Sequence, residues 1–247
     1  MKFSIITPTH KRPEQLSRCV NSVLSQTSFG FQVEMIIIND SPDCDYSLFE
    51  NDKDIIKAIT EEKIIYIKNK ENKGKNYSCN LALTKVTGNY VIFLDDDDWL
   101  ASKALSEIYT SLSSYKLMIK WLVTNRVYDS GKVITTNNKG SSLINYFWDC
   151  MIFKRFYGDA THIVESNMAK QAHFNKKIKN GKEWYYFAQL CPTFIYRNLN
   201  TTITSGYQDL GLTQNLKHQN KFNKIKETIY NVIILFTLRL KICKKKI

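Results

Sequence analysis

The chain has 247 residues, 43% of them hydrophobic and 23% charged, with a formal net charge of +12. That length suits one domain, or one domain with a small appendage, and the balance excludes a disordered or low-complexity chain. Six scattered cysteines (Cys19, Cys44, Cys79, Cys150, Cys191, Cys243) without a Cys-x-x-Cys pair argue against a zinc or disulfide framework and fit a reducing, cytoplasmic setting.

Phe3 to Ile6 is a short apolar run closed by Thr7-Pro8, a strand ending in a turn. Its early start leaves no room for a signal peptide. Pro13 to Gln26 carries apolar residues at Leu16, Cys19, Val20, Val23 and Leu24, a helical stripe opened by Pro13. Val33 to Ile38 is apolar almost throughout, as a parallel strand covered on both faces should be. A polar turn at Asn39 to Asp43 follows. Tyr46 to Thr60 reads as a weaker helix, Ile64 to Ile67 as a third strand, Tyr77 to Val86 as a helix and Tyr90 to Leu94 as a fourth strand. Four strands alternating with helices define a doubly wound, mostly parallel α/β sheet with helices on both faces. Ligands bind such sheets at the carboxyl ends of the strands. Thr7-Pro8-Thr9, Asp40 and Asp95 to Asp98 should therefore converge on one cleft. There is no Gly-x-Gly-x-x-Gly after the first strand and no P-loop motif, which excludes the usual dinucleotide and P-loop nucleotide sites.

Downstream, Lys103 to Tyr115 reads as helix and Leu117 to Val127 as strand, with a hairpin turn at Asp129-Ser130-Gly131 into Val133 to Thr135. Residues 141–157 are rich in aromatics. Trp184 to Leu190 looks helical and Thr193 to Tyr196 extended. From Tyr207 to Ile247 there are nine Lys or Arg against two acidic residues, so the basic excess gathers at one end. That points to an anionic surface as partner and away from nucleic acid. Between Ile225 and Ile247 the apolar residues share one helix face but form no run of the roughly 20 needed to span a bilayer. The expectation is a basic amphipathic C-terminal helix, residues 216–247, lying on the cytoplasmic face of an anionic inner membrane. The alternative is a terminal helix docked on the core.

The run Asp95-Asp96-Asp97-Asp98 directly follows the fourth strand. Four adjacent carboxylates repel one another unless they fan into water or surround a cation. Their place at the carboxyl end of a central strand favours a divalent metal. Asp98 is expected to cap a helix starting near Leu100.

Ser4 to Thr9 with Arg12-Pro13, Glu34 to Asp40, Asn72-Lys73-Gly74 with Asn80, and Gly88 to Asp98 together resemble the family 2 glycosyltransferases of the GT-A fold. The likeness is strong over residues 3 to about 100 and thins beyond 130. The resemblance implies an inverting transfer of a sugar from a nucleotide diphosphate donor, with uridine as the expected base, to a hydroxyl of a glycan or lipid-linked acceptor. It divides the chain into a nucleotide-sugar-binding core (1–130), an acceptor-side part of the same domain (131–215) and the C-terminal helix. By the same analogy Thr7, Pro8 and Thr9 line the nucleoside pocket, Asp40 accepts from the uracil imide, and Asn72 lies in the donor loop. Asp95 faces the ribose and metal, Asp96 contributes mainly backbone to donor binding, and Asp97 ligates Mn²⁺ or Mg²⁺. Glu183, in Lys182-Glu183-Trp184, falls at the general base. Cys79 stands where the family commonly has an arginine that supports the nucleotide, and Lys73 or Lys75 is left to supply that charge. His162 is either a further ligand or a hydrogen-bonded core residue. Gly206 to Thr213 is read as a segment able to close over the donor. A subunit that binds sugar nucleotides without catalysing transfer is the alternative function.

Overall fold

The computed structural model describes residues 1–26, 30–114 and 119–205. The expected C-terminal helix and the segment 206–213 lie outside the described residues. In chain order the elements are β1 (Lys2–Thr9), α1 (Pro13–Leu24), β2 (Gln32–Asn39), α2 (Ser47–Glu50), α3 (Lys53–Thr60), β3 (Ile64–Lys68), α4 (Lys75–Leu83), β4 (Tyr90–Phe93), β5 (Asp98–Leu100) and α5 (Ala104–Ser113). Then come β6 (Trp121–Tyr128), β7 (Thr136–Asn137), β8 (Leu143–Asn145), a π-helical turn (Tyr146–Ile152), β9 (Phe156–Tyr157), β10 (Ala160–Glu165), α6 (Ser166–Gln171), α7 (Trp184–Phe187) and β11 (Thr193–Thr204).

The main sheet runs β3-β2-β1-β4-β10-β6-β11-β5, with β8 also paired to β11. Its first half is parallel: β1 lies between β2 and β4, and β3 extends the edge beyond β2. β10 enters antiparallel between β4 and β6. The sheet is therefore mixed, because the chain returns from residue 160 to complete a sheet begun by residues 2–93. Alternation in the central strands sets the two core layers. Phe3, Ile5, Met35, Ile37 and Ile92 face α1 and α5 on one side, while Ile6, Ile36, Ile38 and Val91 face α4 and the aromatic residues Trp121, Tyr186 and Phe194 on the other.

Two local expectations are corrected. Residues 46–60 form two short helices, because Asp52 accepts from the backbone N–H of Asp54 and Ile55 and so starts α3 afresh. Asp98 caps no helix: it opens β5, opposite Thr204 of β11, and the next helix starts at Ala104. The turn after β6 is present, with Gly131 N–H donating to Tyr128 O at 2.8 Å. Among the described residues no helix is long and apolar enough to cross a membrane.

Candidate active site

The carboxyl ends of β1, β2 and β4 meet as the sheet topology requires. At the end of β1, Thr7 is wholly buried and Thr9 Oγ1 shares a hydrogen bond of 2.9 Å with the Tyr46 hydroxyl. Pro8 is half-buried between them. His10 joins three loops: Nδ1 lies 3.1 Å from both Asp40 O and Ser41 Oγ, and Nε2 lies 3.3 Å from Asn72 Nδ2. Asp40 itself is buried at the end of β2. Its carboxylate accepts from Asn69 Nδ2 at 2.7 Å, from Lys73 N–H at 2.9 Å and from Gly74 N–H at 2.6 Å. Asp40 thus shapes the loop carrying Asn72.

The four consecutive aspartates have separate environments. Asp95 is half-buried and pairs with Lys75 Nζ at 2.7 Å. Burial works to raise its pKa, but the charges of Lys75 and Arg126 outweigh burial and hold the carboxyl below its ordinary range. Asp96 does more than lend backbone: its buried carboxylate accepts from Arg12 at 3.2 Å and from His10 N–H at 3.3 Å. Burial nevertheless pushes its pKa up to about 6 against the pull of Arg12. Asp97, the most exposed of the four, takes Arg12 Nη1 at 2.7 Å. Asp98 is buried and pairs with Arg126 Nη2 at 3.0 Å. Burial raises its pKa further than Arg126 lowers it.

One carboxylate oxygen each from Asp95, Asp97 and Asp98 lie within 4.8 Å of one another. Asp98 Oδ2 is buried and ion-paired but accepts no hydrogen bond among the described residues. Hard oxygen donors gathered this closely, one of them a buried acceptor held by an ion pair alone, fit a Mg²⁺- or Mn²⁺-type cation. The chain therefore brings a third carboxylate, Asp98, to the point expected for Asp95 and Asp97 alone.

Glu183 reaches the same cleft from 85 residues further along. The loop before it is tied to the start of α4. Asn76 Nδ2 donates to the carbonyls of Asn175, Ile178 and Gly181 at 3.3, 2.9 and 3.1 Å, Lys75 N–H donates to Asn180 Oδ1 at 2.8 Å, and Asn76 N–H donates to Lys179 O at 3.0 Å. Gly74 permits this docking. With φ at +91°, it stands where a Cβ would come within 2.5 Å of Lys179 O. Glu183 Oε1 consequently lies 3.3 Å from Lys75 Nζ, so one ammonium bridges Asp95 and Glu183. Both carboxylates raise the Lys75 pKa beyond what burial takes away.

His162 belongs to the core. Its ring accepts from Trp121 Nε1 at 3.1 Å, stacks on Phe187 at 3.9 Å, and is held neutral by burial, with its pKa down to about 3. Cys79 is also buried, its thiol pKa pushed up to about 12 by desolvation. Arg126 escaped the sequence reading; the available signal was an arginine amid the otherwise uncharged strand Trp121–Tyr128. Lys75 was one of two candidates, and only the fold separates it from Lys73, which pairs with Glu71 at the surface.

Residues 4–168 match the Glycosyl transferase family 2, and the chain belongs to that family. It is 32% identical over 242 residues to the poly(ribitol-phosphate) β-N-acetylglucosaminyltransferase TarP of Staphylococcus aureus, covering 92% of this chain and 67% of that protein. It is 36% identical over 107 residues to the Escherichia coli UDP-Glc:α-D-GlcNAc-diphosphoundecaprenol β-1,3-glucosyltransferase WfaP, covering 43% of this chain and 39% of that one. The fold matches the crystal structure of S. aureus TarS 1–349 in complex with UDP-GlcNAc, with a TM-score of 0.65 and 17% identity over 83% of this chain and 58% of that 1–349 chain. Some relatives are far longer, and the chain spans as little as 16% of one of them. The GT-A fold expected from the sequence is present.

Proposed function

We propose that the chain is an inverting, metal-dependent glycosyltransferase that moves a sugar from a UDP-sugar to a hydroxyl of a glycan or lipid-linked acceptor. The observation that carries the reading is the gathering of the Asp95, Asp97 and Asp98 oxygens, with one lysine, Lys75, bridging Asp95 to Glu183. Asp95, Asp97 and Asp98 would hold Mn²⁺ or Mg²⁺, which when bound supplies positive charge against the departing diphosphate. Thr7, Pro8, Thr9, Asp40 and Asn72 form the nucleoside end, where Asp40 keeps acceptor capacity on Oδ2 beyond its bond to Gly74. Asp96 orders the β1 turn through His10 and Arg12.

Glu183 is the base. Its half-exposed carboxylate takes the proton of the acceptor hydroxyl, that oxygen bonds to the anomeric carbon, and the bond from that carbon to the diphosphate oxygen breaks with inversion. Nucleoside diphosphate leaves with the electron pair. The names of TarP and WfaP, one acting on a ribitol-phosphate polymer and one on a diphosphoundecaprenol-linked sugar, support a cell-surface polymer or lipid-linked acceptor. Together with the basic, apolar-striped sequence 225–247, they support a reaction at the cytoplasmic face of the membrane.

The test is a panel of UDP-, GDP- and dTDP-sugars scored for Mn²⁺-dependent thermal stabilisation, because a ligand of the folded state raises its stability. UDP-sugars are expected to stabilise and to lose the effect with chelator. Stabilisation by a GDP- or dTDP-sugar alone would refute the uracil role of Asp40.

A further inference from the structure

Each carboxylate of the triad is paired with a cation: Asp95 with Lys75 at 2.7 Å, which Glu183 shares, Asp97 with Arg12 at 2.7 Å, which Asp96 shares, and Asp98 with Arg126 at 3.0 Å. These cations differ in freedom. The Arg126 side chain is 15% exposed and fixed in β6, whereas Lys75 at 26% and Arg12 at 34% sit at the N-terminal ends of α4 and α1. A divalent ion among the three oxygens would place its charge close to the Lys75 ammonium and the Arg12 guanidinium. Like charges so near a shared set of carboxylates oppose each other's occupancy.

The donor reverses that relation. A nucleoside diphosphate brings oxygens that need more positive charge than one ion supplies, and Lys75 and Arg12, if displaced by the ion, would be at hand to supply it. Position supports the exchange for Lys75. It precedes Cys79 by four residues, so both lie on one face of α4, and buried Cys79 offers no charge to a phosphate.

From this we infer that Lys75 and Arg12 are exchangeable counter-ions, which neutralise the empty carboxylate cluster, yield Asp95 and Asp97 to the divalent cation, and turn to the donor's diphosphate as it loads. Arg126 stays with Asp98 throughout. Cation and donor are thereby coupled: the cation alone competes with internal charge, and the donor rewards the same side chains for leaving. The inference rests on the proposed function and adds the residues that link the two binding events.

The test uses the full chain and the variants Lys75→Met and Lys75→Arg. Mn²⁺ alone is titrated by the electron paramagnetic resonance signal of the free ion, and UDP is then titrated calorimetrically at saturating Mn²⁺. Lys75→Met should bind Mn²⁺ alone more tightly, by about three- to tenfold, yet bind UDP about tenfold more weakly, the worth of a charged hydrogen bond. Lys75→Arg should stay near wild type on both. A merely structural role would weaken both ligands together, and that result would overturn the inference. If Lys75→Met does not fold, Arg12→Met carries the same expectation of opposite signs. Wild-type protein that takes up no UDP would overturn the proposed function and this inference together. Wild-type uptake matched by the methionine variants in both titrations would overturn the inference alone.

Discussion

The two ends of the parallel half-sheet each bury acidic residues, and they treat them in opposite ways. Near the amino end, Glu34 of β2 sits across from Ser4 of β1 and accepts from Ser4 Oγ at 2.6 Å, from Thr87 N–H at 2.7 Å and from Gly88 N–H at 3.2 Å. It also accepts from Thr87 Oγ1 and pairs with Lys2 Nζ at 2.5 Å. Burial would raise the Glu34 pKa, but these donors bring it down to about 2. At the carboxyl end, Asp96 and Asp98 have raised pKa values because burial outweighs their single arginine partners. One end is saturated with donors; at the other, two of the four carboxylates, Asp96 and Asp98, are left under-compensated. A saturated carboxylate stabilises the fold, whereas an under-compensated cluster leaves room for a cation that the chain does not contain.

Four variants sharpen that contrast. The largest effect is expected at the cleft: Glu183→Gln should lower turnover by about 10²–10⁴-fold while leaving the melting temperature and UDP affinity in place. Steady-state kinetics with calorimetry checks both halves, and near-normal turnover would remove Glu183 from the mechanism. At the opposite end, Glu34→Gln should cost about 2–3 kcal/mol at pH 7 without altering UDP affinity. Because the folded-state pKa is depressed, this contribution is complete above the ordinary value of 4.5 and disappears as pH falls through about 2. Urea unfolding at pH 7 and pH 3 should therefore show the penalty shrinking on acidification.

Gly88→Ala tests the same network by sterics. A Cβ there would lie 2.6 Å from Ser4 Oγ and 2.8 Å from Lys2 O, and the expected loss is about 1–2 kcal/mol. The smallest effect has the opposite sign. Asp96 has a folded-state pKa of about 6 against an ordinary 3.8, so its stability contribution declines as pH rises through that interval. Asp96→Asn should accordingly be neutral near pH 4 and raise metal-free stability by about 1 kcal/mol near pH 7.5. Equal urea midpoints for wild type and variant at both pH values would show that the cluster is fully compensated.

Local sequence carried the first half of the fold because its signals are local. Unbroken apolar runs such as Met35-Ile36-Ile37-Ile38 mark strands buried on both faces, and Pro13 marks where α1 starts. The carboxyl-end convergence of Thr9, Asp40 and Asp95 follows from the alternation of strands with helices, which makes β1, β2 and β4 parallel. The work of Asp98 was not legible, because β5 exists only through pairing with Thr202 to Thr204 of β11, about 100 residues away in the chain. The Asp52 cap that splits residues 46–60 has the right residue type for a helix start, but the weak apolar periodicity on either side of it does not distinguish one helix from two. Lys75 could be proposed but not chosen, since its partners Asp95 and Glu183 come together only when the 175–181 loop docks on α4.

The central claim, that the under-compensated end is a cation and diphosphate site, is tested most directly by thermal unfolding with UDP and Mn²⁺ for wild type, Asp97→Ala and Glu34→Gln. At a ligand concentration about 100 times Kd, a bound ligand adds about 2.7 kcal/mol. Wild type and Glu34→Gln should each gain stability to the same extent and lose it with chelator, whereas Asp97→Ala should gain none. An equal gain in Asp97→Ala would contradict the account.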